Sequence, residues 1–480
     1  MNKYRTLASN MLILAVGQLS SKLLVYVMLR FYTDILGTDG YGEMTNIVTA
    51  CDLLISVVSL SISSGVLRFA LEKSNDGKMV FSIGINTILV NSLFFLCTVP
   101  LIGMIPLFRG YEWMIFIYVI LGCIKDVCAI YVRSRYSVTL FAVDGIVTTV
   151  STVVYNLLFL GVFHFGVPGY VFSIVLGNVT SIVFLNITTK LFMDYRPIRN
   201  DKTLRVSMLR YCIPLMPTTI MWWIISFSDL YMITAFIGED ANGLYAFAYK
   251  FPNLAIMVMG IFSQAWRMSA ITERNSRTTS NFYSNTFSMM QTIMFLASGG
   301  IMLVLRPIIM PFFGSEDFQP AYIYVPLLLA AVIFQSFDNF LASIYEAAQK
   351  TTHSMISSGI GAVSNIVLNI VLIYAFGIMG AAIATVSSYV IVFVYRIFDT
   401  KKYLYMKVYW AKIFVNLALL AVMAWSIIFL EYGTLQNVIN AVVFLVIAAL
   451  NFQSCVQAVK LVLHKSKNNS RENQDKETNV

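Results

Sequence analysis

What this sequence has least of is charge. Of its 480 residues only 12% are Asp, Glu, Lys or Arg, and 58% are hydrophobic, whereas a soluble globular domain carries about 25% charged residues. That balance excludes a water-soluble enzyme or binding module. Histidine is nearly missing as well, with three residues. His164 and His464 lie at a loop edge and in the tail, His353 lies in a short basic gap, and none is paired with a nucleophile. All six cysteines (Cys51, Cys97, Cys123, Cys128, Cys212, Cys455) fall inside apolar runs and form no CxxC, so neither a disulfide frame nor a zinc site is expected. There is no Gly-rich nucleotide loop and no metal cluster, which argues against ATP hydrolysis and group transfer.

What is present is a succession of apolar runs: 9–33, 42–70, 80–105, 113–132, 138–163, 170–193, 210–236, 244–266, 283–306, 321–346, 354–376, 381–398, 408–430 and 437–463. Crossing about 30 Å of hydrocarbon takes about 20 mostly apolar residues as a helix. The expected fold class is therefore an all-α integral membrane protein with about 14 transmembrane helices. A cleavable leader is not expected, because the first run is too long and carries Lys22 and Arg30.

Basic residues divide the gaps into two sets. The odd gaps, 34–41, 106–112, 164–169, 237–243, 311–320, 377–380 and 431–436, hold Arg109 alone. The even gaps and the two tails hold 23 when Lys460 is counted with the tail. Lys and Arg are retained on the cytoplasmic side during insertion. Both termini are thus expected in the cytoplasm of a multi-pass cell-membrane protein. The +9 net charge then faces anionic membrane lipids, and no nucleic acid is expected as a partner.

Two stretches repeat. Leu36-Gly37-Thr38-Asp39-Gly40-Tyr41-Gly42 aligns with Ile237-Gly238-Glu239-Asp240-Ala241-Asn242-Gly243 at an offset of 201. Phe165-Gly166-Val167-Pro168-Gly169 aligns with Phe376-Gly377-Ile378-Met379-Gly380 at 211. Similar offsets imply two parallel-repeat six-helix lobes, 1–194 and 210–400, joined by a cytoplasmic linker, 195–209. Two appended helices fill 401–464 and a polar cytoplasmic tail fills 465–480.

The motif LG-x-x-x-YG at Leu36–Gly42 and the run IG-x-x-x-x-GLYAFAYKFPN at Ile237–Asn253 carry a family resemblance. So do Tyr211-Cys212-Ile213-Pro214-Leu215, Asp229, Asn365, Asn369 and Phe376–Thr385. In order and spacing over about 400 residues the chain resembles the polysaccharide-transporter branch of the multidrug/oligosaccharidyl-lipid/polysaccharide exporter superfamily. The resemblance implies a flippase, not an enzyme. Its cargo would be undecaprenyl-pyrophosphate-linked oligosaccharide for capsule, O-antigen or exopolysaccharide, with a polysaccharide polymerase and glycosyltransferases as possible partners. One rival is a cation-coupled multidrug extruder of the same fold, which would want acids and few bases in its lumen. Another is a membrane glycan polymerase or ligase, an enzyme that needs an outer loop longer than the roughly ten residues available here. A passive lipid scramblase also fits the sequence.

An ionised group at mid-membrane costs at least about 2.5–3.5 kcal/mol on insertion scales, so each is a functional candidate. The expected cavity residues are Lys22, Arg30, Asp52, Asp229 and Lys250, with Asp52, Asp229 and Asp338 as candidates for H+ or Na+ coupling. No other cofactor and no metal are expected. Lys22 and Asp52 both lie about 15 Å from the outer side at 1.5 Å per residue. Asp229 and Lys250 are level at about 10 Å. Lys125 and Asp126 are neighbours in sequence and point about 100° apart, so each is expected to pair elsewhere. Arg306, Arg396 and Lys412, near the ends of their runs, are expected to snorkel. Polar stripes follow Gln18, Lys22, Tyr26 and Arg30, and Asn46, Thr49, Asp52, Ser56, Ser59 and Ser63; helix–helix glue and a hydrated lumen explain the Ser/Thr positions equally well. Trp222 and Trp223 read as packing residues before sugar-stacking ones.

Overall fold

The computed structural model describes residues 24, 26–72, 75–196, 202–272, 279–313, 315–348 and 350–452. Its helices are α1 (Leu29–Val58), α2 (Ile62–Leu71), α3 (Gly77–Ile102), α4 (Glu112–Arg135), α5 (Val138–Asn156), α6 (Gly166–Thr189), α7 (Lys202–Cys212), α8 (Leu215–Phe236), α9 (Glu239–Thr272) and α10 (Thr279–Val304). They continue with α11 (Val325–Ala347), α12 (Thr351–Phe376), α13 (Ile378–Thr400) and α14 (Trp410–Phe429), and α15 (Thr434–Phe452). Only a backbone that satisfies its own hydrogen bonds is tolerated in lipid, and among the described residues the regular structure is all helical.

Eleven helices are long and apolar enough to cross a membrane, or twelve if the bent pair α1–α2 is one span. These coincide with the second to seventh and the ninth to fourteenth apolar runs. The first run lies mostly outside the described residues, Lys22 included. The eighth coincides with α9, whose 34 residues are not among the spans that qualify. Fourteen crossings therefore remain an expectation.

Turn chemistry explains the ends. Asp76 caps α3 by accepting from the Lys78 amide, and Ser137 caps α5 by accepting from Thr139 and Leu140. Gly37 (φ 66°) puts a kink of non-helical backbone inside α1, and its repeat partner Gly238 has φ 133°. Gly166 and Gly377, the second repeated pair, sit at 61° and 59°. A Cβ makes this region costly, so glycine recurs in both halves where the chain must reverse.

The chain separates into two compact units. The first comprises Met1–Ala246, Phe312–Gln319 and Asn369–Ala381. At its centre α4 packs against α1, α2, α3, α5 and α6, burying Ile115, Val119, Cys123, Val127, Cys128 and Val132 completely. Gly122 lets Ile55 of α1 approach so closely that a Cβ there would collide with it. The second unit comprises Phe247–Pro311, Pro320–Leu368 and Ala382–Val480. Its central helix is α11, with Phe337 set among Phe287, Phe295 and Phe393 at ring separations of 5.4, 6.2 and 5.4 Å. The appended pair α14–α15 is tied on by a buried polar chain. Thr292 donates to Asn451 Oδ1 at 3.1 Å and Asn451 Nδ2 to Asn416 Oδ1 at 2.7 Å.

At the α12–α13 turn, a Cβ on Gly380 would overlap the Leu372 carbonyl, whereas one on Gly433 meets nothing within 4 Å. Gly380→Ala should therefore lower the melting temperature of detergent-purified protein, at a cost of about 1–3 kcal/mol. Gly433→Ala should leave it unchanged, and equal melting of the two variants would contradict the packing described.

Candidate functional site

The first half of the α1 polar stripe is glue. Asn46 Nδ2 donates to Thr234 Oγ1 at 2.8 Å, Tyr231 OH donates to the Asn46 carbonyl at 2.8 Å, and Thr49 shares a 2.7 Å hydrogen bond with Tyr231. Trp223 Nε1 donates to the Thr49 carbonyl at 2.9 Å, which makes it a packing residue; its neighbour Trp222 is exposed. One turn further in, the pattern changes. Asp52 is exposed although its neighbour Cys51 is fully buried.

The close approach of Ile55 and Gly122 fixes what lies beside Asp52. Asp52 is one turn before Ile55, and Lys125 is one turn after Gly122. Both helices run the same way, so these charges are staggered by roughly 9 Å along the helix axes. Lys125 Nζ lies 3.5 Å from Asp126 Oδ1, with the side chains 27% and 46% exposed. Lys125 and Asp126 thus meet each other, contrary to the expectation that each pairs elsewhere; long side chains bend across the angle between adjacent helix positions. Arg30 binds Asp34 at 3.0 Å, four residues on, with both side chains 47% exposed.

Nearer the start of α1, that helix and the start of α9 cross at backbone contact. A Cβ on Gly42 would collide with the Glu239 carbonyl, and one on Gly243 with the Thr38 carbonyl. Gly42 and Gly243 are the closing glycines of the repeated turn, so each half brings its own to this crossing. Asn242 Nδ2 donates to the Gly42 carbonyl at 3.1 Å, and Thr38 donates to Asp240 at 2.5 Å. Glu239 is pushed up to about 7, first by burial, then by the charges of Glu43 and Asp39, a hydrogen bond with Asp39, and the charge of Asp240.

Other intramembrane charges find neutral partners. Asp229, 1% exposed, accepts from Tyr245 OH at 2.6 Å and from the Leu230 amide at 3.1 Å. Lys250 is half-buried on α9. In the second unit Asp338 is 4% exposed, and neither carboxyl oxygen has a hydrogen-bond partner among the described residues. Arg396, expected to snorkel, is instead 5% exposed. Its Nε donates to Ser357 Oγ at 2.9 Å, Nη1 to the Asp338 carbonyl at 2.8 Å and Nη2 to Ser358 Oγ at 3.0 Å. Lys412 likewise turns inward, donating to Ser288 Oγ at 3.1 Å and Thr292 Oγ1 at 2.6 Å. Arg306 stands over Tyr322 at 4.2 Å and donates to the Leu430 carbonyl at 3.1 Å. Serines and carbonyls one helix away supply what the interface would otherwise supply, and sequence depth alone cannot show them.

Two matching carboxylate clusters also escape a reading of the sequence by depth. Asp194, beyond α6, accepts from Lys78 Nζ at 2.7 Å, Tyr136 OH at 2.7 Å and Tyr131 OH at 3.0 Å. Burial would raise its carboxyl, but these hydrogen bonds hold it below the usual range. Asp399, at the end of α13, accepts from Lys402 Nζ at 2.8 Å and Tyr345 OH at 2.8 Å, and His353 Nδ1 lies at 3.1 Å. The aspartates are 205 apart, close to the repeat offsets, which is the signal that could have found them.

A bundle of apolar spans is the frame of a multi-pass membrane protein, and solved structures of transporters share this fold. The lipid II flippase MurJ in an inward closed conformation superposes with a TM-score of 0.72 over 93% of this chain and all of that one, at 16% identity. An inward-facing multidrug resistance MATE family transporter of the MOP superfamily gives 0.65 over 81% of this chain and 98% of its own, at 14% identity. The particular family comes from the sequence: residues 7–266 match the model described as polysaccharide biosynthesis protein, and the chain belongs to that family. A relative in Haloferax volcanii, named a probable low-salt glycan biosynthesis flippase, Agl15, is 26% identical over 171 residues. That alignment takes in 35% of this chain and spans about a third of the relative, 36% of its length.

The α1–α9 crossing should depend on pH. Because Glu239 holds its proton up to about 7 against an ordinary 4.5, the crossed arrangement binds that proton more tightly than a separated one. It should loosen as pH rises between those values and stay loosened above. Hydrogen exchange of the amides in 38–46 should therefore be slower at pH 5 than at pH 8 after correction for intrinsic rates. Glu239→Gln should remove most of the difference; an unchanged difference would assign it to another group.

Proposed function

We propose that this protein is a flippase that moves undecaprenyl-pyrophosphate-linked oligosaccharide from the cytoplasmic to the outer leaflet for surface polysaccharide assembly. The lobes 1–194 and 210–400 alternate in access around a central site, with both termini in the cytoplasm. A polysaccharide polymerase and glycosyltransferases handle the cargo on either side of the step.

The observation that carries this reading is the exposed charge at mid-depth in a chain of the polysaccharide biosynthesis family. Asp52 is exposed and the Asp126 side chain is 46% exposed beside Lys125. Facing lipid they would be costly; facing an aqueous lumen they remain hydrated. A lipid pyrophosphate crossing that lumen needs cations and donors for its oxygens. Lys22, Arg30 and Lys250 fill that role, with Lys125 added by its geometry. Asp52 holds Lys22 charged until phosphate competes for it. Asp229, buried and bonded to Tyr245, suits a fixed structural role better than lining.

Topology is testable by cysteine labelling in intact cells. Sites 38, 166, 240, 315 and 434 should label from outside, whereas 75, 200, 275 and 470 should not. An external signal at 275 with none at 240 would invert the scheme.

Lys22 decides the binding role. Lys22→Ala should abolish complementation of surface polysaccharide while protein stays in the membrane, and Lys22→Arg should keep part of it, since charge is retained. Exchanging the pair, Lys22→Asp with Asp52→Lys, should also abolish transport. Full activity of the exchanged protein would reduce the pair to a structural bridge.

A further inference from the structure

Resting on the transport reading above, we propose that Asp338 is the site that carries the coupling proton, and that Arg396 is the internal competitor for its carboxylate. The two occupants of the site, a proton and a guanidinium, define two arrangements of α11, α12 and α13.

Three observations converge. Asp338 is 4% exposed, with no hydrogen-bond partner at either carboxyl oxygen among the described residues. A buried ionised carboxylate without donors is strongly disfavoured, and the smallest ligand that removes the charge is a proton. Na+ would need several oxygen ligands converging on the carboxylate, and the Ser357 and Ser358 hydroxyl oxygens accept from Arg396. Second, the guanidinium beside Asp338 does not bind the carboxylate. Arg396 is held by Ser357, Ser358 and the backbone carbonyl of Asp338 itself, so its guanidinium is within a side-chain rotation of the group it leaves unneutralised. Third, the Ser354 carbonyl lies 3.5 Å from Nη2, so the first turns of α12 form the resting place for that guanidinium.

The present arrangement is then the proton-loaded one. Loss of the proton to water leaves a carboxylate; Arg396 swings from the α12 serines to meet it, and the start of α12 loses its main tie to α13. Asp338 lies nine residues before the end of α11, roughly 14 Å by helical rise, and the serines lie in the next helix start. Release toward the cytoplasmic side is the direction that export against an inward proton gradient requires. Other titratable groups nearby are already engaged. His353, Tyr345 and Lys402 surround Asp399 at the rim, and Lys412 of α14 is turned to Ser288 and Thr292 of α10.

The test uses full-length protein in lipid nanodiscs without substrate. Infrared difference spectra between pH 6 and pH 9 should contain a protonated-carboxyl C=O band that Asp338→Asn removes, Asp338→Glu shifts, and Asp52→Asn and Asp229→Asn leave in place. Hydrogen exchange over 352–360, corrected for intrinsic rates, should rise about tenfold at the higher pH. Asp338→Asn should abolish that rise and His353→Gln should keep it. A band that survives Asp338→Asn, or equal protection at both pH values in the wild type, overturns the proposal. So does sodium at constant pH reproducing the change. Failure of the flippase reading is distinguishable. If Asp338→Asn flips lipid-linked oligosaccharide under a proton gradient as fast as wild type, the coupling site is wrong and the flippase stands. If wild-type protein moves none, the flippase reading falls whatever the band does.

Discussion

The constraint on which this structure depends is the cost of holding charge in hydrocarbon. Every intramembrane ionisable group must be satisfied by a partner, hydrated by a cavity or neutralised. The described residues include partnered, exposed and unpartnered cases. Arg396 and Lys412 are wrapped by serine and threonine hydroxyls and by carbonyls, and Asp144 accepts from Ser181 at 2.7 Å while 2% exposed. Asp52 stays exposed and Asp126 half-exposed. Asp338 alone among these is buried without a hydrogen bond to its carboxyl. The difference between the solutions separates scaffold from working parts better than depth does, because a scaffold charge has no reason to be left short of donors.

The same constraint accounts for the glycines. Helices that cannot expose backbone to lipid must reverse within a few residues, and a reversal through positive φ is open mainly to glycine. Gly37, Gly238, Gly166 and Gly377 do so at equivalent places in the two halves. Gly42 and Gly243 then have a separate task, since each removes a Cβ from the crossing of α1 and α9. The LG…YG and IG…GLY motifs therefore combine two requirements, one for turning and one for close approach, which explains why the motif has two glycines at that spacing.

Much of the fold was legible because run length and loop charge are one-dimensional signals. The apolar runs marked most of the described spans to within a few residues, but α1 continues through the expected 34–41 gap with a kink at Gly37, and α7 forms where a linker was expected. Site residues were legible only as a list of deep charges. Depth singled out Asp52, which is exposed on α1. It gave no hint that Arg396 and Lys412 turn inward, because that depends on Ser357, Ser358, Ser288 and Thr292 standing on the facing helix. Lys125 and Asp126 were separated by the ideal helical angle and rejoined by the flexibility of the lysine. The stripe on α1 split into glue and exposed carboxylate because α8 covers Asn46 and Thr49 with Tyr231, Thr234 and Trp223 and leaves Asp52 uncovered.

The two rim clusters show how a repeat can keep an electrostatic role while changing its chemistry. Asp194 and Asp399 each accept from a lysine and from a tyrosine near the end of the helix two spans earlier, Tyr131 on α4 and Tyr345 on α11. The third donor differs: Tyr136 in one half and His353 in the other. His353 also contacts Tyr403 at 3.2 Å, so it joins the end of α13 to the segment leading to α14. It lies at the start of the same helix, α12, whose serines hold Arg396.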